Sequence, residues 1–265
     1  MMVASDAPGP MEQFKILPII KFPAEGPLDL SFTNSSLWML IGVTAIIAFF
    51  VAATSRRSLV PGRLQSSVEV LHEFIADLVR DTIGPEGRRF FPYIFTLFIF
   101  ILVANLFGLL PSVPGAPETL HTFTTTSHIA VTGALALLTI TIVIVYGFWK
   151  NGIGFLKLFV PSGVPLLLLP LLVGIELISF LSRPFSLAIR LFANMFAGHI
   201  ILKLFAGFVI ALLGAGGLIS LIGIAPFLGS IAVMALEFLI AALQAYVFAI
   251  LACIYLNDAV HAGGH

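Results

Sequence analysis

Long apolar runs, broken by short polar stretches, set the expected architecture of this chain. Residues 37–54 hold no charge, about 27 Å of helix at roughly 1.5 Å per residue, which suits one membrane crossing. Residues 64–83 follow another pattern. Leu64, Val68, Leu71, Ile75 and Leu78 recur at helical spacing, while Glu69, His72, Glu73, Asp77, Arg80 and Asp81 take the other face. Such a helix lies along the membrane interface or caps another helix, and Gly84-Pro85 ends it. Residues 90–110 and 128–149 predict the second and third crossings, separated by the Pro- and Thr-rich stretch PSVPGAPETLHTFTTTS. From 165 to 213 no turn interrupts the pattern, because Pro170 and Pro184 can kink a membrane helix without ending it. A helix of that length spans about 70 Å, more than twice the ~30 Å hydrocarbon core, and therefore predicts a strong tilt. GAGGLISLIG, from Gly214, is the hinge before a last helix at 226–256. The fold class is thus an all-α membrane protein, a single integral domain. It has about five crossings plus one interfacial amphipathic helix, and the last two crossings form a long tilted hairpin.

Charge fixes the expected sidedness. Arg56, Arg57 and Arg63 follow the first run, Arg88 and Arg89 precede the second, and Lys150 and Lys157 follow the third. By the positive-inside rule these lie in the cytoplasm, so the segment 1–36 and the loop with Glu118, His121 and His128 are external, and the C-terminus is internal. Segment 1–36 has acids near its start and no basic region before an apolar core, so it does not read as a cleavable signal. Of the 265 residues, 59% are hydrophobic and 10% charged, and mean hydropathy is +1.11. Soluble domains carry about 25% charged residues. Net charge is zero and no basic run suggests nucleic acid. One cysteine, Cys253, leaves no intrachain disulfide.

Residues 158–257 contain only five charged side chains: Glu176, Arg183, Arg190, Lys203 and Glu237. An arginine cannot lose its proton in a protein, and an unpaired cation at membrane depth is costly enough to be a functional hypothesis by default. Glu176, Arg183 and Arg190 are spaced seven and seven, so they share one helix face, flanked by Asn194. His199 falls on the opposite side, with Lys203 one turn beyond. In the last helix Glu237 and Gln244 share a face. If the two long helices are antiparallel and His199 meets Glu237, Arg190 falls opposite Tyr246 and within a turn of Gln244, and Glu176 falls near Asp258 and His261. Structural readings stand beside these. Arg190 could be salt-bridged to a membrane acid, and His199 with Glu237 could be a neutralised pair. Asn194, Gln244 and Asn105 could be hydrogen-bonding glue between helices. Lys203 could snorkel outward, and Arg183 could snorkel inward or partner Glu176. The six histidines are scattered, with no metal-ligand spacing.

The segment SRPFSLAIRLFANMFAGHII, with ALEFLIAALQAYVFAIL after it and ANLFGLLP before it, resembles subunit a of the rotary F-type ATP synthase. The order of spans matches over nearly the whole chain. The resemblance implies a proton-translocating stator subunit beside a rotating ring of c-subunits, each with one membrane carboxylate. It also implies peripheral-stalk b subunits and the remainder of the complex as partners. Arg190 matches the family's essential arginine, with Gln244 and Asn194 at polar positions near it. His199 and Glu237 match an outer half-channel pair whose residue types are exchanged in some bacterial members. Asn105 matches an outer-route position, and Glu176 an inner-route one. No cofactor, metal or nucleotide site is implied, and no GxxxxGK[ST] loop is present, so the chain is expected to be non-catalytic. The expected location is a bacterial inner membrane, with the mitochondrial inner membrane as the alternative. An ion-coupled secondary transporter is the competing function, and it would call for internal repeats that the sequence does not display. A membrane enzyme would want clustered histidines or paired acids.

Overall fold

In a computed structural model, the described residues are 17–20, 31–55, 58, 60–110, 125–160, 168–217 and 219–262. A two-stranded antiparallel ribbon, β1 (Pro18–Ile20) with β2 (Phe32–Thr33), leads into α1 (Asn34–Thr54). Then follow α2 (Arg63–Ile83), α3 (Phe91–Gly108), α4 (Ile129–Asn151), α5 (Leu169–Gly214), the single turn α6 (Ile219–Ile222) and α7 (Ile224–His261). Five helical segments are long and apolar enough to cross a membrane. With the amphipathic α2, this is the all-α membrane fold the sequence predicts.

The predicted boundaries shift in places. α7 begins at Ile224 and continues to His261, so Asp258 and His261 are helical. The His261 ring nitrogen Nδ1 lies 3.1 Å from the Asn257 carbonyl one turn back. α5 runs through Pro184 without ending. Pro170 sits in its first turn, where a missing N–H costs nothing. Residues 161–167 lie outside the described set, as do Arg56, Arg57, Glu118, His121 and His265, so the start predicted at 165 and those residues' placements are not described.

The chain divides into two compact units. One comprises Met1–Thr44, Leu102–His128 and Phe192–Leu243; the other comprises Ala45–Ile101, Ile129–Leu191 and Gln244–His265. In the first, Asn34 secures the start of α1: its Oδ1 accepts from the N–H of Leu17 at 3.2 Å and of Ser35 at 2.9 Å. Trp38 of α1 meets Phe107 of α3 edge-on.

In the second unit, α2 buries Ile75, Val79 and Ile83, the apolar side of its amphipathic pattern, while Leu64 is exposed. Gly84, at φ 82°, donates its N–H to the Arg80 carbonyl at 2.9 Å and ends the helix. A side chain would be strained at that φ. The turn Pro85–Arg89 then folds back so closely that a Cβ on Gly87 would stand 2.8 Å from Val79 Cγ1. Glu86 is held by Lys150 at the end of α4, and that ammonium keeps the Glu86 carboxyl below its usual range. Further in, the Tyr93 and Thr139 hydroxyls join α3 to α4 at 2.7 Å. On α7, Ala245, Ala249, Ala252 and Ala259 are fully buried in a stripe. Small residues at such spacing let helix backbones approach closely where lipid offers no hydrophobic drive to association.

Candidate functional site

Several of the polar residues singled out in the sequence fall into two groups, one in each unit, and Arg190 bonds to neither among the described residues. The first cluster is built on Asn105 of α3. A 3-10 turn, Thr125–Ser127, leads into α4 and is wholly buried. Thr126 Oγ1 donates to Asn105 Oδ1 at 2.7 Å, and Asn105 Nδ2 donates to the Ala241 carbonyl of α7 at 3.3 Å. Asn105 and Thr126 are 0% exposed. Both ends of the Asn105 amide are therefore engaged, as expected of a residue tying helices together.

One turn before Ala241, Glu237 is buried, and neither of its carboxylate oxygens has a hydrogen-bond partner among the described residues. Its carboxyl lies over Gly198 of α5. A Cβ there would fall on Oε1 and stand 2.9 Å from Cδ. His199, the next residue, is also buried. A second close approach, Phe205 of α5 against Gly229 of α7, runs in the opposite sense along the two helices, as between antiparallel neighbours. Asn194 and Lys203 of α5 are half-buried. Gly198 escaped the sequence reading. Its only signal was a glycine within an apolar helical run, which can mark close approach of another element.

The second cluster centres on Arg183. Its Nη1 donates to Asp258 Oδ2 of α7 at 3.0 Å, and its Nη2 lies 3.6 Å from Glu176 Oε1 two turns back on α5. The guanidinium carbon sits 5.7 Å from the Phe180 ring centre and 5.2 Å from that of Tyr255, within cation–π range. Beside this cluster, Asn151 Nδ2 at the end of α4 donates to the Ala259 carbonyl at 2.7 Å. Of the two readings left open for Arg183, the geometry gives the partnered one, with Asp258 as the closer acid.

Arg190 is exposed on α5, with Ser182, Ser186 and Ile189 exposed near it. No hydrogen bond or ion pair to Arg190 occurs among the described residues. Gln244 is buried, and the ring of Tyr246 packs on Phe74 of α2, centres 5.7 Å apart. Arg190 is thus an always-charged group exposed on a largely apolar helix.

Comparison with known proteins identifies the family. The family model described as ATP synthase A chain matches residues 36–257. The chain is 58% identical to ATP synthase subunit a of Maricaulis maris (strain MCS10), over 96% of this chain and 98% of that one. It is also 58% identical to ATP synthase subunit a of Chelativorans sp. (strain BNC1), over 97% and 99%, and 54% identical to that of Rhodospirillum rubrum, over 95% and 98%. With a family match across most of its length and relatives this similar end to end, the chain belongs to the ATP synthase A chain family.

Proposed function

We propose that the chain is the proton-conducting stator subunit of a rotary F-type ATP synthase in a bacterial inner membrane. It would work against a c-ring and beside peripheral-stalk b subunits, and Arg190 would separate two offset half-channels. The observation that carries this reading is Arg190 itself: a permanent cation, exposed on a long apolar helix, with no acid near enough to pair with it among the described residues. Membrane cations normally pair with one another's counter-ions or face a cavity. A carboxylate presented by a neighbouring rotating subunit would supply the missing partner.

Protons would enter along Glu237, His199 and Asn105 and neutralise a ring carboxylate. The neutral group then turns into lipid without the cost of burying a charge. On returning, it would release its proton toward Glu176. The Arg183 bridge from Glu176 to Asp258 keeps that acid among charged partners, which suits a route open to water. Glu237 suits the opposite role, since a buried carboxyl that no donor among the described residues holds is costly as a purely structural element. At 4 Å and an effective dielectric near 20, Arg190 would attract an ionised ring carboxylate by about 4 kcal/mol. Each proton moving down the potential supplies about 2.3 kcal/mol per 100 mV. Attraction and drive are comparable, so the site is held and still passes. Gln244, Asn194, Tyr246 and Lys203 would serve as secondary residues around this path.

The test is Arg190→Ala in the assembled complex, read by acidification of inverted membrane vesicles. ATP-driven pumping should be abolished while passive proton leak persists or rises. Retained coupled pumping would overturn the assignment.

A further inference from the structure

We propose that the pocket between α2 and α3 binds an anionic phospholipid, with its phosphate against Arg88 and an acyl chain against the apolar wall. This site goes beyond the proton path and does not rest on it. The turn at Gly84 sends the chain back along α2 and launches α3 at Phe91, which leaves a cavity of about 610 Å³ between the two helices. That volume lies within the ~300–1,000 Å³ of small-molecule sites. Ala76 and Val79 of α2 and Phe91 and Pro92 of α3 make its apolar wall, and the His72 ring lies 4.6 Å from the Phe91 ring, centre to centre. The polar part is cationic. Among the described residues, Arg80 and Arg88 line the cavity and no carboxylate does.

The two arginines are not equivalent. Arg80 is engaged by Asp77 at 2.8 Å and Asp81 at 3.7 Å. Arg88 makes no ion pair among the described residues, and the adjacent acid, Glu86, is taken by Lys150. Arg88 is thus the charge left to meet an anion. Position decides which anion. The cavity stands where an amphipathic helix meets the first turn of an 18-residue apolar span, the level at which lipid headgroups give way to acyl chains. A free phosphate would satisfy Arg88 but leave the apolar wall unused, whereas a phospholipid fills both. A zwitterionic headgroup would bring an ammonium toward two guanidinium groups, so an anionic one fits better.

The experiment uses the purified membrane complex in lipid nanodiscs doped with a phospholipid that carries a photoreactive acyl chain. The chemistry is the same except for the headgroup, phosphatidylglycerol or phosphatidylcholine. Crosslinks within residues 72–92 should be about fivefold more frequent with phosphatidylglycerol, the ratio that one basic group near anionic lipid supplies. Equal labelling by the two headgroups would overturn the proposal, and this comparison on the unaltered complex stands whatever the variants do. Arg88→Gln should bring labelling to the phosphatidylcholine level, Arg88→Lys should retain most of it, and Ala76→Trp, which fills the cavity, should abolish it. Undiminished labelling in Arg88→Gln or Ala76→Trp also overturns it. So does displacement of the lipid by millimolar inorganic phosphate, which would assign the cations to a soluble anion.

Discussion

A glycine within a helix costs about 1 kcal/mol relative to alanine, so Gly198 holds its place for some other reason. The Glu237 carboxyl occupies the volume that a Cβ would take. Gly198→Ala should therefore push the acid away from the turn that carries His199. Overpacking of this kind costs about 1–3 kcal/mol, and ATP-driven pumping should fall several-fold. Glu237→Asp, which draws the carboxyl back by one methylene, should restore part of the loss in the double variant. Wild-type pumping by Gly198→Ala would show that the contact has no consequence. Asn105 and Thr126 make a different kind of prediction, since both are fully buried and bonded to each other. Membrane hydrogen bonds average about 0.6 kcal/mol in double-mutant cycles. A cycle with Asn105→Leu and Thr126→Val, read from thermal stability of the complex, should give a coupling of about that size. A coupling of zero would mean that the 2.7 Å bond contributes nothing.

Among elements, the pairing of α5 with α7 sets what the clusters can do. Glu237 against Gly198 and Phe205 against Gly229 define the neighbourhood in one unit. Exchanging residue types, His199→Glu with Glu237→His, should keep more pumping than either single change. Strictly additive losses would argue against coupling between the two positions. In the other unit, Arg183 joins Asp258 to Glu176. Arg183→Met would leave two acids facing each other without their cation, at a cost on the order of 1–2 kcal/mol for a partly exposed charged network. Less assembled complex should be recovered from membranes, and adding Asp258→Asn should recover part of it. Failure of that second change to help would place the role of Arg183 in its ring contacts with Phe180 and Tyr255.

For the whole molecule, the exposed apolar faces are extensive, as a chain dissolved in lipid requires. On α5, Ile178, Phe185 and Ile189 are all exposed, and Arg190 lies among them. A bilayer accounts for the apolar side chains but not for the guanidinium. Purified in mild detergent, the chain should bring with it a ring of small hairpin subunits and a soluble ATPase head. Recovery without such a ring would favour a free-standing transporter.

Run length, charge flanks and the seven-residue spacing were legible in the sequence because each follows from local geometry. A helix of 18 apolar residues crosses a bilayer wherever it sits, and Glu176, Arg183 and Arg190 share a face on any α-helix. The Arg-centred segment carried the family resemblance for the same reason: it is contiguous. Contacts between distant parts of the chain were not legible. Nothing in the Thr-rich loop says that Thr126 turns inward to bond Asn105, which stands 21 residues away. Nothing in the last helix says that Asp258, and not Glu176, is the closer partner of Arg183. Gly198 was invisible because its importance belongs to Glu237, on another helix. Likewise, the cavity beside Arg88 exists only because Gly84 turns the chain back on α2. The sequence determined which segments enter the membrane and which charges go with them. Tertiary structure decided which of those charges are neutralised within the chain, because pairing depends on helix register and close approach, which no single helix encodes. Arg190 is one cation on the long helix α5 that register leaves without an acid among the described residues.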